Sequence, residues 1–251
     1  PLNLHKPVQV TFEGEEAIDE GGVRKEAFEL LVKQLFASEV GRASADDDDA
    51  SSVSSSDSEF AEAPAAAAAG GAGGAGSRTP RYSGPVPLFL EQSDSRFVWF
   101  SPTAFKDEAL ARFAFVGRIV GLATFNGILL SLPLPVETLF RVLAGHPVTL
   151  EDLRLVQPSL ARSLEAILDF DEEASGTTVE DAFGATFAVD IPGTSADGSP
   201  AWRQMTLRPR GDDIAVTAYN REDFCALYVQ AVLRGSVEPQ LRAFYSGWRE
   251  V

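Results

Sequence analysis

The sequence predicts a mostly helical α+β fold with a few short antiparallel strands. Helical periodicity of apolar residues recurs in several segments longer than ten residues, whereas two-residue alternation is confined to short stretches. A loop rich in Gly, Ser and Pro separates Phe187 and Val189 from Met205 and Leu207, a pattern typical of a hairpin. The chain has 251 residues, of which 45% are hydrophobic, so it can bury a substantial core.

The first elements predicted are a strand and a helix. Apolar residues alternate with Gln9 and Thr11 over residues 8–12, which favours a half-buried strand. A helix follows the Gly21-Gly22 pair, with charged residues on its solvent-exposed face. Its predicted buried stripe, beside Phe28 and Phe36, consists of Val23, Ala27, Leu31 and Leu35.

The middle of the chain predicts one strand and a series of helices. Residues 97–100 read as an aromatic strand, and residues 109–130 as a long helix that the following prolines end. Further helical segments are predicted over residues 135–144 and 150–170. The apolar positions that we expect to be buried are Phe113, Val116, Val120, Ala123, Leu153, Leu160, Leu164 and Leu168.

The last part predicts a strand and two helices. Ile214 and Val216 alternate as in a strand, and Asn220 with Asp223 resembles a capping box. A helix is then expected with a buried stripe, and another begins at Pro239. The residues of that stripe are Phe224, Leu227, Tyr228 and Ala231.

Charge and cysteine content indicate which partners, compartment and cofactors to expect. A formal net charge of −16 disfavours nucleic acid and anionic membranes as main partners, because both would be repelled. The uncharged stretch 119–136 contains Pro133 and Pro135, which break it, so no membrane span is expected. Cys225 is the only cysteine and cannot form an internal disulfide, which favours a reducing compartment, the cytoplasm or nucleus. No metal-ligand spacing occurs, and we expect no cofactor.

Residues 41–84 differ in composition from the rest of the chain. They contain the acidic run 46–49, many serines, and a Gly/Ala tract. Such a segment cannot bury enough apolar surface to offset its ordering entropy, so we predict a disordered insertion. The predicted folded parts are therefore residues 1–40 and 85–251.

Several segments, in order along the chain, resemble the HECT ubiquitin ligase domain. They are FEGEEAIDEGGVRKEAF (12–28), FVWFSP (97–102), VGRIVGLATFNGILLSLPLP (116–135), VTLEDL (148–153), PSLARSLEAIL (158–168), DIAVTAYNREDF (213–224), LYV (227–229) and SVEPQLRAFYSGW (236–248). The sequence departs from the family at Ala27, where a second aromatic residue is usual, and at the insertion.

The resemblance implies the amino-terminal lobe of a bilobed HECT domain, with a small subdomain roughly at residues 119–207. In that family, ubiquitin passes from a conjugating enzyme to a ligase cysteine in the carboxyl lobe, then to a substrate lysine, often marking the substrate for proteasomal degradation. That lobe would begin after Val251, so this segment alone is expected to be inactive. The implied partners are a ubiquitin-conjugating enzyme, ubiquitin and protein substrates.

The resemblance also implies two binding regions. A hydrophobic groove for the conjugating enzyme would be formed by Phe125, Leu129, Leu130, Leu132, Leu134, Leu139, Phe183 and Phe187. A ubiquitin contact is expected near Phe97 and Trp99. In both regions, packing in the core or sheet is the competing interpretation.

Two other functions are compatible with the sequence. A degenerate ligase could bind conjugating enzyme or ubiquitin without transferring anything. A cysteine enzyme could use Cys225, although its place within a predicted helix favours a small packing residue.

Overall fold

The computed structural model describes residues 6–11, 22–42, 86–91, 94–194 and 200–251. Over these ranges it is a mostly helical α+β fold, as predicted. The helices are α1 (Gly22–Glu39), α2 (Asp107–Phe125), α3 (Val136–Leu143), α4 (Leu150–Val156), α5 (Pro158–Leu168), α6 (Glu172–Ser175), α7 (Val179–Phe183), α8 (Arg221–Leu233) and α9 (Glu238–Arg249). The strands are β1 (Val40–Arg42), β2 (Phe89–Glu91), β3 (Val98–Phe100), β4 (Ala188–Thr194) and β5 (Pro200–Thr206).

Two small sheets accompany the helices. Strand β2 pairs in parallel with β1 and antiparallel with β3, in the order β1-β2-β3. Strands β4 and β5 form the predicted hairpin, with Val189 opposite Met205. Gly41 and Arg42 lie in β1, so the chain is still in regular structure where the insertion was predicted to begin. The rest of that predicted insertion, up to residue 84, lies outside the described residues.

The core is built around Phe89. Its ring lies 4.9 Å from Phe36, 5.3 Å from Phe100 and 5.5 Å from Phe113, measured between ring centroids. Such aromatic pairs stabilise a core beyond the area that they bury. This cluster therefore joins α1, the three-stranded sheet and α2.

Helix α2 packs directly on α9 because glycines remove side chains at the contact. A Cβ added at Gly117 would lie 2.8 Å from the carbonyl carbon of Phe244. A Cβ added at Gly247 would lie 2.7 Å from the carbonyl carbon of Ala114. Glycine is therefore required on both helices for this approach.

Three predictions about the first half were wrong in detail. Residues 6–11 form no strand, since the Val8 amide donates to Asn126 Oδ1 at 3.0 Å. The buried face of α1 is Phe28, Val32 and Phe36, one position away from the predicted stripe, because the large rings define the core side. Helix α2 ends at Phe125, five residues before the predicted end.

Three predictions about the second half of the chain were also wrong in detail. Pro158 begins a new helix, so residues 150–170 form α4 and α5. Ile214 and Val216 flank a single bridge between Thr186 and Ala215. Asn220 does not cap α8 with its side chain, because its Oδ1 accepts from the Thr217 amide at 2.7 Å.

Candidate functional site

The loop after α2 is rigidly built. The Gly127 amide donates to Thr124 O at 3.1 Å, and the Ile128 amide donates to Ala123 O at 2.9 Å. Together with the positive φ of Gly127, 67°, these bonds form a Schellman motif that ends the helix. The loop after α2 therefore has one defined starting direction.

Both ends of this loop are attached to other parts of the fold. Asn126 uses its side chain twice, since Nδ2 donates to Leu122 O at 2.7 Å and Oδ1 accepts from the Val8 amide. At the other end, the Val98 amide of β3 donates to Pro133 O at 2.8 Å. The backbone between these attachments is thus held to α2 and to the sheet.

Of the eight residues predicted to bind the conjugating enzyme, Leu129, Leu130 and Leu132 lie on this loop, and Phe125 is the last residue of α2. Leu129 is 87% exposed and Phe125, at the end of α2, is 48% exposed. Leu130 and Leu132 are half-buried and pack against the core. We call Phe125, Leu129, Leu130 and Leu132 the loop ridge, because Leu129 projects from the surface.

The other four predicted groove residues face the interior. Leu134, Leu139, Phe183 and Phe187 are each at most 6% exposed. The Phe187 ring lies 5.5 Å from that of Phe224, so it packs on α8. Large apolar side chains complete the core here, so these four residues are buried, and the exposed apolar surface of the predicted set lies at Leu129 and Phe125.

The predicted ubiquitin contact is largely buried. Trp99 is 4% exposed, and its Nε1 donates to Leu233 O at 3.3 Å, which ties β3 to α8. Phe97 is half-buried, with the Arg96 guanidinium 4.9 Å from its ring centroid. Trp99 is therefore a packing residue, while Phe97 retains some accessible surface.

An exposed apolar face on α3 was not predicted from the sequence. Val136 and Phe140 are 39% and 43% exposed, and the Phe140 ring lies 6.2 Å from that of Trp248 on α9. The sequence did indicate that Val136 and Phe140 share one face, because they are four positions apart in a helix. Their neighbours Leu139 and Val142 take the buried face of the same helix.

Helix α3 is fixed to α4 by a buried carboxylate. Asp152 accepts from Thr138 Oγ1 at 2.8 Å and from the Thr149 amide at 2.9 Å. Burial alone would raise the pKa of Asp152, but these hydrogen bonds and the nearby Arg141 charge outweigh it and hold the pKa below its usual value. The same carboxylate completes a capping box for α4.

Cys225 has the surroundings of a packing residue. It is 3% exposed on α8, and its Sγ lies 3.7 Å from Leu164 O, to which it donates. Burial raises the pKa of this thiol to about 12, against the opposing charge of Arg221. A nucleophilic cysteine needs a stabilised thiolate, which this environment does not provide.

Two further features are absent from the residues that the structure describes. No helix there is both long and apolar enough to cross a bilayer. Within the same ranges, no group of three or more His, Cys, Asp and Glu side chains is arranged to hold a metal ion.

The HECT-domain (ubiquitin-transferase) family matches residues 82–251. The probable E3 ubiquitin-protein ligase HERC4 of Mus musculus is 28% identical over 100% of this chain, and the probable E3 ubiquitin-protein ligase HERC3 of Homo sapiens is 30% identical over 100%. The probable E3 ubiquitin-protein ligase HECTD2 of Mus musculus is 28% identical over 99% of the chain. The chain spans 18% of the length of the first two and 26% of the third.

Proposed function

This chain belongs to the HECT-domain family, and from that premise we propose that it is a non-catalytic binding part of a ubiquitin ligase. In this proposal it docks a ubiquitin-conjugating enzyme. Ubiquitin then passes by thioester exchange to a cysteine in a following carboxyl lobe and from there to a substrate lysine. The single observation that carries the non-catalytic role is the burial of Cys225, the only thiol in the chain.

The chemistry explains why Cys225 is excluded as the ubiquitin acceptor. Thioester exchange requires a thiolate that can reach the incoming thioester carbon. With a pKa of about 12, roughly one thiol in 10⁵ is ionised at pH 7. The sulfur is also enclosed by α5 and α8, so a protein-sized thioester cannot approach it without unfolding.

The loop ridge supports the docking role. Because the Leu129 side chain is 87% exposed, it contributes almost no apolar burial to the stability of the fold. The loop that carries it is already ordered by backbone and side-chain hydrogen bonds. A pre-ordered apolar projection loses little conformational entropy when a partner covers it. We therefore place the contact with the conjugating enzyme at Leu129 and Phe125, where the enzyme would supply the receiving pocket.

A contact centred on two exposed side chains is small, which fits transient recruitment. We expect a dissociation constant on the order of micromolar, or about −8 kcal/mol. Substituting the central anchor should cost about 1.4 kcal/mol or more, which is a tenfold or greater loss of affinity.

The test is a calorimetric titration of the chain with a panel of ubiquitin-conjugating enzymes. Leu129→Glu should weaken binding at least tenfold, because it places a charge at the centre of the contact. Leu155→Glu is the matched control, since Leu155 is another exposed leucine, at 40%, on α4. Circular dichroism establishes that both variants are folded.

Two outcomes would count against the proposal. Equal affinity of the folded Leu129→Glu variant and the control would remove the loop ridge as the docking surface. Absence of binding by every member of the panel to the folded chain would remove the docking role, and titration with ubiquitin would then test the chain as a ubiquitin-binding module.

A further inference from the structure

We draw no further inference here: the strongest candidate, the exposed aromatic face that Phe140 of α3 forms with Tyr245 and Trp248 of α9, carries nothing because none of the described residues shows what covers it.

Discussion

Replacing Gly117 with alanine should destabilise the protein by separating α2 from α9. The new Cβ would lie 2.8 Å from the carbonyl carbon of Phe244 and 3.1 Å from the Trp248 amide nitrogen, whereas ordinary contact begins at 3.4 Å. The helices must therefore move apart by at least 0.6 Å, and by more at the Phe244 oxygen, which is closer still. Overpacking of this kind costs about 1–3 kcal/mol.

Helix propensity opposes this cost, so the comparison needs a control. Gly→Ala within a helix gains up to about 1 kcal/mol from the backbone alone. Gly22 lies at the start of α1, and no atom of the described residues lies within 4 Å of an added Cβ. Gly22→Ala shows the effect of the exchange at a helix end without a clash, and Gly117→Ala should be less stable than this control by up to about 2 kcal/mol, the overpacking cost less the interior gain.

Urea unfolding followed by far-ultraviolet circular dichroism measures the difference. In a chain of this size, each kcal/mol corresponds to a Tm change of about 2–4 °C, which provides a second readout. Gly121→Ala should fall between the two variants, because its added Cβ would meet Trp248 O at 2.9 Å and the tip of Val251 at 3.2 Å. A Gly117→Ala variant as stable as Gly22→Ala would refute the reasoning.

Three further predictions concern the carboxylate, the thiol and the loop. Asp152→Asn should lower the unfolding free energy by about 1–3 kcal/mol at pH 7. Because the folded pKa is depressed, the stability that ionisation contributes is complete above the unfolded value of about 3.9 and is lost as pH falls through the folded pKa. The gap between wild type and variant should therefore shrink in urea titrations as the pH falls below about 3.9, and a constant gap contradicts the assignment. Because burial protects it, Cys225 should resist alkylation by iodoacetamide in the folded chain and react quickly in urea. Fast labelling of the folded chain would overturn its assignment as a packing residue. In the whole protein, Cys225→Ser should retain ubiquitin transfer. Gly127→Ala should cost about 1 kcal/mol through its positive φ and weaken docking with Leu129 still present, whereas unchanged stability and affinity would show that the Schellman turn does not order the loop.

The sequence predicted the elements whose own residues determine them. Helix α2 was identified by four core positions, Phe113, Val116, Val120 and Ala123, and all four are buried. The hairpin was confirmed with Val189 opposite Met205, since alternation on both sides of a turn-rich loop leaves little choice of register. Local periodicity is sufficient in such cases because one face of the element must be buried.

Features that depend on distant partners were not predicted. The buried face of α1 is set by rings from the sheet. Asn220 failed as a cap for a local reason, because it accepts from the Thr217 amide three residues earlier. A capping box does form at Thr149 with Asp152, where the extra acceptor bond from Thr138 lies fourteen residues away. The burial of Leu134, Leu139, Phe183 and Phe187 has the same origin, because periodicity does not show which apolar residues of a segment find tertiary partners.

The parallel pairing of β1 with β2 has a consequence for how this chain can vary in length. Parallel neighbours are entered from the same end, so they cannot be joined by a tight turn, and 46 residues separate Arg42 from Phe89. In general, closing a flexible connection becomes only slowly more costly with length, by about 0.6 kcal/mol for each doubling. Proteins with this pairing can therefore gain or lose many residues between the two strands while the surrounding helices keep their places.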